Sequence, residues 1–265
     1  MPELPEVETI RRGLEPVLSG RRIVDARAFP HPKFTPALDA VGPFVTGVSR
    51  RGKYLLVGLD DDRELVVHLG MTGQLRLVDG EPDPYERAAW ALDDGSTLGF
   101  RDVRRFGRIR VVPSGEYGSI PTLAALGPEP FGDEFTARGL HAALSRSRAR
   151  LKTQLLSQRP VAGVGNIYAD EALWAARLDP GSRRISRPGA ERLHAAIVEA
   201  LRAGVEHGGT TLRDYRTVDD GEGGHQHHLR CYGRAGEPCD RCGELLRRRV
   251  IDGRSATSCP GCQRR

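Results

Sequence analysis

The sequence predicts an α+β protein: an N-terminal β-sandwich preceded by a helix, then a helical C-terminal domain that ends in a Cys₄ zinc-ribbon hairpin. Three observations predict this class. Short apolar or β-branched runs separated by turn residues fill residues 21–112. Amphipathic segments rich in Ala, Leu and Arg follow from about residue 135. All five cysteines lie within the last 35 residues, four of them in closely spaced pairs.

The first element is a helix predicted to start near Leu4. Pro5 has the backbone φ suited to a first helical position, and Glu6 places negative charge where the helix dipole favours it. Apolar residues then recur at helical spacing, at Val7, Ile10 and Leu14.

The residues before this helix have a chemical interpretation. If Met1 is removed, the chain begins with the secondary amine of Pro2. An α-amine has a pKa of about 8, against about 10.4 for lysine, so more of it is uncharged at neutral pH. It is then a nucleophile toward a sugar carbon, and Glu3 beside it could supply or take a proton. The alternative is an ordinary capped helix at the surface, with no catalytic role for Pro2 or Glu3.

Seven runs are predicted to be strands: Ile23–Phe29, Tyr54–Leu59, Leu65–Leu69, Gln74–Val78, Ala88–Leu92, Thr97–Phe100 and Arg108–Val112. Their spacing favours a sandwich or a flattened barrel. The Pro- and Gly-rich stretch that follows is predicted to be a linker. Helical patterns come after it, at Leu140–Leu144, Leu151–Leu156, Ile167–Ala176 and Glu191–Val205.

The charge pattern suggests the class of partner. The chain has 40 Lys+Arg against 35 Asp+Glu, a formal net charge of +5. Basic residues cluster in residues 101–110, 146–152 and 247–249, and such clusters suit a polyanion such as DNA or RNA, although solvated faces show the same pattern. No apolar signal region and no run of about 18 apolar residues is present. We therefore expect a cytoplasmic protein that does not engage a membrane.

The cysteine spacing predicts one structural zinc ion. Two C-x₂-C pairs separated by sixteen residues match a Cys₄ ribbon, with the ligands Cys239, Cys242, Cys259 and Cys262. The residues between the pairs would form a hairpin around Asp252-Gly253. Four thiolates leave no open position for catalysis. Cys231 is left over and is interpreted as an ordinary loop cysteine. The alternative is that it, or one of His225, His227 and His228, competes as a ligand.

A glycine-containing turn suggests an anion site. Gly163-Val164-Gly165 precedes a predicted helix whose N-cap would be Asn166, and Lys152 upstream would add a positive charge. Free N–H groups and the helix dipole favour a phosphate there. Glycine turns before helices are common, so this signal is weak alone.

Six motifs occur in the order found in the bacterial formamidopyrimidine-DNA glycosylases, also called 8-oxoguanine DNA glycosylase/AP lyases, and nearly the whole chain resembles this family. They are Met1–Glu8, Gly52–Leu56, His68–Gly73, Arg104–Gly107, Gly163–Ala169 and Tyr232–Arg234 before the cysteine module. The related endonuclease VIII branch typically begins Pro-Glu-Gly-Pro, whereas Leu4 follows Glu3 here. The resemblance implies a helix–two-turn–helix DNA-binding region before the zinc hairpin.

The resemblance also implies catalytic roles. Pro2 would form a Schiff base at C1′ of the damaged nucleotide, and Glu3 would be the acid that assists sugar opening and base loss. Lys53 would donate a proton in β-elimination, and Arg254 would assist δ-elimination while contacting phosphate. A surface lysine and a solvated hairpin tip are the alternatives for Lys53 and Arg254.

Further residues are implied to contact DNA. Met71 and Phe106 would fill the gap left by the extruded nucleotide, and Arg104 would contact the orphaned cytosine, since inserted side chains are known to kink DNA. Core packing and an exposed strand are the alternatives. Lys152 and Asn166 would hold backbone phosphates. Tyr85 aligns with a position often held by a phosphate-contacting histidine, so that contact is in doubt.

Three other positions depart from the family pattern. Val103 stands where proline is usual, His225 where the lesion-capping loop commonly has an aromatic residue, and Ser258 where an aromatic residue normally precedes the third zinc cysteine. These departures leave the lyase chemistry intact, and they leave open which oxidised base is preferred.

We therefore expect a catalytic sandwich domain at residues 1–113, a linker at 114–130, a DNA-binding helical domain at 131–224 and a zinc module at 225–265. The expected function is excision of oxidised purines from duplex DNA followed by β,δ-elimination, by a monomer associated with the nucleoid. An endonuclease VIII-like enzyme for oxidised pyrimidines and a non-catalytic damage-binding protein are the alternatives.

Overall fold

The computed structural model describes residues 1–78 and 83–263. The chain forms two compact units. The first comprises Met1–Ala124 and His207–Gln226, and the second comprises Ala125–Glu206 and His227–Arg265.

Helix α1, Leu4–Leu18, opens the first unit as predicted. Pro5 lies in its first turn, and the Glu3 backbone N–H donates to Glu6 Oε2 at 2.7 Å, which satisfies a donor at the helix start. Its apolar face is fully buried, with Val7, Ile10 and Leu14 at 0% exposure.

The described part of the first unit contains two four-stranded antiparallel sheets. One has the order β1-β6-β7-β5, formed by Ile23–Ala28, Glu86–Leu92, Thr97–Asp102 and Gly73–Leu77. The other has the order β2-β3-β4-β8, formed by Val45–Arg51, Tyr54–Leu59, Arg63–His68 and Arg108–Pro113. All seven predicted strands are present. Strand β2 was missed because it is an edge strand with an irregular burial pattern, so its sequence lacks a clear alternation.

Residues from both sheets share one core, which confirms the sandwich. Phe100 from one sheet and Leu55 from the other are fully buried in it, and Trp90 donates its indole N–H to Ala37 O at 3.0 Å in the 3₁₀ helix Thr35–Ala40. Tyr215 and Val218 belong to the same core.

The position of residues 207–226 corrects one expectation. The sequence prediction assigned residues 131–224 to a single helical domain, but residues 207–226 belong to the first unit. Tyr215 and Val218 supply apolar contacts there, and the Thr210 N–H donates to Glu6 Oε1 at 2.7 Å. The short helix α2, Pro121–Ala124, also lies in the first unit.

The second unit is helical. Its helices are α3 (Ala137–Ser145), α4 (Leu151–Leu156), α5 (Asn166–Ala175) and α6 (Arg187–Glu206). Helix α5 is buried over most of its length and packs against α4, α6 and the zinc hairpin, so it is the central element of this unit. None of the helices in the described residues is long and apolar enough to cross a membrane.

The hairpin at the end of the chain is the one predicted. Strands β9 (Arg247–Ile251) and β10 (Arg254–Ser258) pair antiparallel with Arg254 opposite Ile251. Asp252 and Gly253 form the two-residue turn, with φ values of 47° and 80°, as a type I′ turn requires.

Candidate functional site

The residues at the start of α1 are held in place by one carboxylate. Pro2 is buried and Glu3 is 2% exposed. Glu6 accepts the Glu3 N–H at one carboxylate oxygen and the Thr210 N–H at the other, each at 2.7 Å. Because both oxygens are engaged, the backbone of Glu3 has little freedom to move. The Pro2-Glu3 pair is therefore presented from a rigid helix start, as a catalytic group requires.

Lys53 lies in the two-residue connection between β2 and β3, where Gly52 has a φ of 57°. Its exposure is 2%, so the surface-lysine alternative is wrong. Burial lowers the pKa of the neighbouring His68 imidazole, and the Lys53 charge lowers it further. A buried lysine beside a titratable ring is a reasonable place for proton transfer.

His68 is a candidate that the sequence interpretation quoted within a motif but did not assign. Burial lowers its pKa to about 4, and the charges of Lys53 and Arg108 add to this effect. Its Nδ1 accepts the Gly70 N–H at 3.1 Å, so the proton of the neutral ring is on Nε2. His68 is therefore a neutral hydrogen-bond donor next to Lys53. Its packing against the Tyr54 ring, with centroids 4.7 Å apart, fixes the orientation of the imidazole.

Two loops of the first unit carry the residues expected to enter DNA. The β4–β5 loop carries Met71, and the β7–β8 loop carries Arg104 and Phe106. Phe106 is 45% exposed, and the Arg104 guanidinium lies 4.8 Å from the centroid of its ring. Arg105 between them has a φ of 56°, a left-handed conformation that is uncommon for a non-glycine residue. The core-packing alternative for Phe106 is therefore wrong.

Tyr85 precedes β6 and is 42% exposed. The Arg101 and Arg87 guanidiniums lie 5.1 Å and 5.9 Å from its ring centroid. The ring thus occupies a cationic surface, but a cationic surface alone does not define a phosphate site. Its contact with DNA stays a prediction.

The departures at Val103 and His225 have different surroundings. Val103 is 40% exposed on the β7–β8 loop, and His225 is 5% exposed. The His225 ring stacks on His207, with centroids 5.4 Å apart and Nδ1 atoms 3.2 Å apart. Backbone hydrogen bonds from Gly224 to His207 and from His225 to Gly209 join the same two segments. His225 therefore lies at the base of the loop between residues 209 and 224, and not at its tip.

The four predicted zinc ligands converge. The sulfur atoms of Cys239, Cys242, Cys259 and Cys262 lie within 4.8 Å of one another. Because Zn–S bonds are about 2.3 Å long, four thiolates around one ion fit this separation, and the set leaves no position for a reactant. The donor set therefore suits one structural zinc ion.

Cys231 is not part of this set. Its side chain is 0% exposed and donates to Thr257 O at 3.2 Å. Burial raises the pKa of its thiol, which makes the group inert. The set found among the described residues contains no histidine, so the competing ligands considered from the sequence are not needed.

The burial of Lys152 contradicts another expectation. It was predicted to hold phosphate, but its exposure is 0%. Its Nζ donates to Asp170 Oδ1 at 2.6 Å and to Ser255 O at 2.5 Å. Asp170 Oδ2 in turn accepts the Thr257 N–H at 2.9 Å. The ammonium thus links α4, α5 and the zinc hairpin, and it has no exposed surface to offer a phosphate.

Asn166 and Arg254 lie on elements that pack together. The N-cap of α5 is Gly165, so Asn166 is the first helical residue and its predicted N-cap role is wrong. The Asn166 Nδ2 lies 3.3 Å from Ser255 Oγ, while its buried Oδ1 has no partner among the described residues. Arg254, the residue before Ser255, is exposed beside the hairpin turn. The helix start and the hairpin tip therefore present polar groups from one rigid support.

Three family models match this chain. They are the formamidopyrimidine-DNA glycosylase N-terminal domain over residues 1–109, the formamidopyrimidine-DNA glycosylase H2TH domain over residues 126–216, and the zinc finger found in FPG and IleRS over residues 236–265.

Whole proteins and solved structures resemble the chain over nearly its full length. It is 48% identical to the formamidopyrimidine-DNA glycosylase of Deinococcus radiodurans, over 99% of this chain and 97% of that protein. The crystal structure of the MutM (Fpg) protein from Thermus thermophilus matches with a TM-score of 0.93 and 47% identity, over 99% of this chain and 98% of that one. A Lactococcus lactis Fpg mutant in complex with Fapy-dG containing DNA matches with a TM-score of 0.91 and 34% identity, over all of both chains.

Proposed function

The chain belongs to the formamidopyrimidine-DNA glycosylase family, and on that premise we propose that it excises oxidised purines from duplex DNA and then cleaves the strand by β,δ-elimination. The observation that carries this proposal is the 48% identity over 99% of the chain, together with the match of the family's N-terminal domain model to residues 1–109. That range contains Pro2 and Glu3 at the buried start of α1. The substrate class is 8-oxoguanine and formamidopyrimidine lesions, together with abasic sites.

The proposed chemistry begins at the α-amine of Pro2 once Met1 has been removed. The amine attacks C1′ of the damaged nucleotide, the bond to the base breaks, and the base leaves with a proton. Glu3 donates the proton that opens the sugar, which leaves an iminium between Pro2 and C1′. The rigid start of α1 favours this attack because the nucleophile loses little freedom on reaching the sugar.

The iminium is an electron sink for strand scission. Loss of a C2′ proton then expels the 3′ phosphate, and Lys53 supplies a proton in this β-elimination. A second elimination expels the 5′ phosphate, with Arg254 contacting that phosphate. His68 beside Lys53 stays neutral at pH 7, because burial lowers the pKa of its imidazole to about 4.

We propose further that the lesion is extruded and that Met71, Arg104 and Phe106 occupy the vacated space. Extrusion costs a few kcal/mol, and side chains inserted into the duplex offset part of that cost. The exposure of Phe106 is compatible with this role, because a ring that is 45% exposed is accessible to contact DNA. Clustered arginines add affinity that does not depend on sequence and weakens with salt.

The zinc ion has a structural role in this proposal. The Cys₄ set holds the β9–β10 hairpin, and the hairpin carries Arg254. Asp252 in its turn accepts from Thr153 Oγ1 at 2.5 Å and pairs with Arg150. The hairpin tip is therefore positioned by the helical unit as well as by the metal.

A monomeric state and action at the bacterial nucleoid are part of the same proposal. The domain boundaries predicted from the sequence are also part of it, except that residues 207–226 belong with the first unit. The DNA partner supports the location, because an enzyme that acts on duplex DNA must meet it where the chromosome lies.

Borohydride trapping tests the proposal. The purified protein is incubated with a duplex containing 8-oxoguanine and reduced, and the adduct is mapped by mass spectrometry. The expected result is one covalent adduct on the N-terminal peptide, at Pro2, with Met1 absent. A non-catalytic damage-binding protein would give no adduct, and an adduct on a lysine would overturn the role of Pro2.

A second duplex, containing thymine glycol, separates the two enzymatic alternatives. An oxidised-purine enzyme is expected to excise 8-oxoguanine at least about tenfold faster, since each 1.4 kcal/mol of differential transition-state binding is a factor of ten. Faster excision of thymine glycol would favour the endonuclease VIII-like alternative.

A further inference from the structure

Asp102 is a buried carboxylate that the proposed chemistry does not use. It ends β7, with 0% exposure, immediately before the loop that carries Arg104 and Phe106. Its Oδ1 accepts from the Thr72 hydroxyl at 2.6 Å, and its Oδ2 accepts the Gly107 N–H at 2.7 Å. One carboxylate thus binds the β4–β5 loop with one oxygen and the β7–β8 loop with the other.

Thr72 extends this connection. Its hydroxyl donates to Asp102 and accepts the Arg104 N–H at 3.1 Å, and the residue is 5% exposed. The hydrogen bonds therefore run from Arg104 through Thr72 to Asp102, and from Asp102 to Gly107. Residues adjacent to Met71 and Phe106 are included, so all three side chains proposed to enter DNA are attached to one network.

The backbones of the two loops are also in direct contact. Gly70 has a φ of 66°, and a Cβ placed on it would lie 2.5 Å from Gly107 N and 2.5 Å from the Phe106 carbonyl carbon. A Cβ on Gly107 would lie 2.5 Å from Phe100 Cζ and 3.0 Å from Asp102 Oδ2. Such distances are too short for real atoms, so the loops are closely packed as well as hydrogen-bonded.

The main chain of Asp102 is fixed from the opposite side. Its N–H donates to Tyr85 O at 3.0 Å, and its carbonyl accepts from Arg87 Nε at 2.8 Å. Arg87 is 7% exposed, so its guanidinium is itself held by packing. Because the main chain of Asp102 is held in this way, its carboxylate has a fixed position. It can therefore hold the β4–β5 and β7–β8 loops in one relative arrangement.

We propose that Asp102 and Thr72 are positioning residues that hold Met71, Arg104 and Phe106 in the geometry needed to replace an extruded nucleotide, and that they thereby set selectivity for the base opposite the lesion. The inference rests on the proposed function, because it assumes that these three side chains enter the duplex. Without the network, each loop would have to be ordered when DNA binds, and that ordering reduces the interaction energy available for extrusion.

The test compares Thr72→Val with Thr72→Ser. Valine keeps the shape of threonine and removes the hydroxyl, whereas serine keeps the hydroxyl. Single-turnover excision of 8-oxoguanine is measured opposite cytosine and opposite adenine. Strand cleavage is also measured on a single-stranded oligonucleotide with an abasic site, which has no opposite base and leaves no gap in a duplex.

Thr72→Val is expected to slow excision from duplex DNA opposite cytosine about tenfold, because Asp102 Oδ1 and the Arg104 N–H both lose their hydrogen bond to Thr72. The cytosine-to-adenine rate ratio should fall, and cleavage of the single strand should change less than about twofold. Thr72→Ser should restore both duplex values. Asp102→Asn, which keeps the side-chain size but offers one acceptor oxygen in place of two, should behave like Thr72→Val if it folds.

Equal losses on duplex and single strand would overturn the inference, because they would indicate general destabilisation. An unchanged cytosine-to-adenine ratio in Thr72→Val would overturn it too. Arg104→Ala separates this failure from failure of the proposed function. If Arg104→Ala alters the ratio and Thr72→Val does not, the positioning role is wrong; if neither alters it, the assumed entry of Arg104 into the duplex is wrong.

Discussion

The indole N–H of Trp174 donates to Cys239 Sγ at 3.4 Å, so a side chain of the central helix α5 contacts one of the zinc ligands directly. The Arg241 guanidinium lies over this indole, 3.9 Å from the ring centroid, and donates to Trp174 O at 2.7 Å. The zinc module is therefore attached to helix α5 by contacts that Trp174 makes with a zinc ligand and with the neighbouring Arg241. Contacts of this kind tune metal sites, since they orient the ligand and stabilise its charge.

Replacing Trp174 should weaken zinc binding. In Trp174→Phe the thiolate loses a donor, and transfer of zinc to a chromogenic chelator is expected to accelerate about tenfold. The matched control is Trp90→Phe, which alters the chain's other tryptophan in the sandwich core. That control should release zinc at the wild-type rate.

The two tryptophans also provide an optical measurement. In Trp90→Phe only Trp174 emits, and removal of zinc should change its emission because a neighbouring thiolate loses its metal. In Trp174→Phe the remaining emission should not respond. A response from both variants, or from neither, would contradict a specific link between Trp174 and the metal site.

The Lys152–Asp170 pair should matter for stability. Lys152→Met leaves a buried carboxylate without its cation, which typically costs about 3–5 kcal/mol in the free energy of unfolding. Lys152→Met/Asp170→Asn should recover much of that loss, since the asparagine oxygen can still accept the Thr257 N–H. Denaturant unfolding measures both values.

The control for this pair is Arg146→Met, at an exposed position in the same part of the chain. It should change stability by less than about 0.5 kcal/mol. If instead Lys152→Met unfolded like the wild type and only bound DNA more weakly, the phosphate-binding role predicted from the sequence would regain support.

His68 should make stability depend on pH. Its pKa is lowered to about 4 in the folded protein, from about 6.5 in an unfolded chain, so the unfolded state takes up a proton first as the pH falls. The contribution of the neutral ring is present above about pH 6.5 and is lost progressively as the pH falls toward 4. Denaturant unfolding at several pH values between 4 and 7 should show this slope.

In His68→Gln the side chain cannot titrate, so its deficit relative to the wild type should be largest at pH 7 and shrink toward pH 4. His227→Gln, at an exposed histidine, is the control and should leave the wild-type slope unchanged. A deficit that stays constant across this range would show that His68 is not held neutral.

Phe106 and Phe100 should behave in opposite ways. Phe100 is 0% exposed in the sandwich core, so Phe100→Ala should cost about 3–5 kcal/mol of stability. Phe106 is 45% exposed, so Phe106→Ala should leave the melting temperature nearly unchanged and slow excision from duplex DNA. Thermal unfolding and single-turnover excision give both quantities. A large drop in melting temperature for Phe106→Ala would indicate a packing role.

Local sequence patterns were sufficient to predict much of the fold of this protein. The seven runs of alternating or apolar residues, the capped start of α1 and the Asp252-Gly253 turn were all predicted, because each depends on residues close together in the chain. The zinc site was also predicted in full, since cysteine spacing alone restricts the ligand geometry. The resemblance to a family indicated the candidate catalytic residues, whose motifs are short and contiguous.

Only the tertiary structure decided which polar groups face the solvent and which hold the fold together. Lys152 was predicted from the sequence to be a phosphate ligand, but its buried ion pair with Asp170 stabilises the fold instead. The role of Asp102 depends on Thr72, thirty residues away, and residues 207–226 return to the first unit through Thr210 and Glu6, 204 positions apart. The periodicity of apolar residues and the spacing of motifs depend on residues that are close together in the sequence. Burial and long-range hydrogen bonds arise only when distant segments pack against one another.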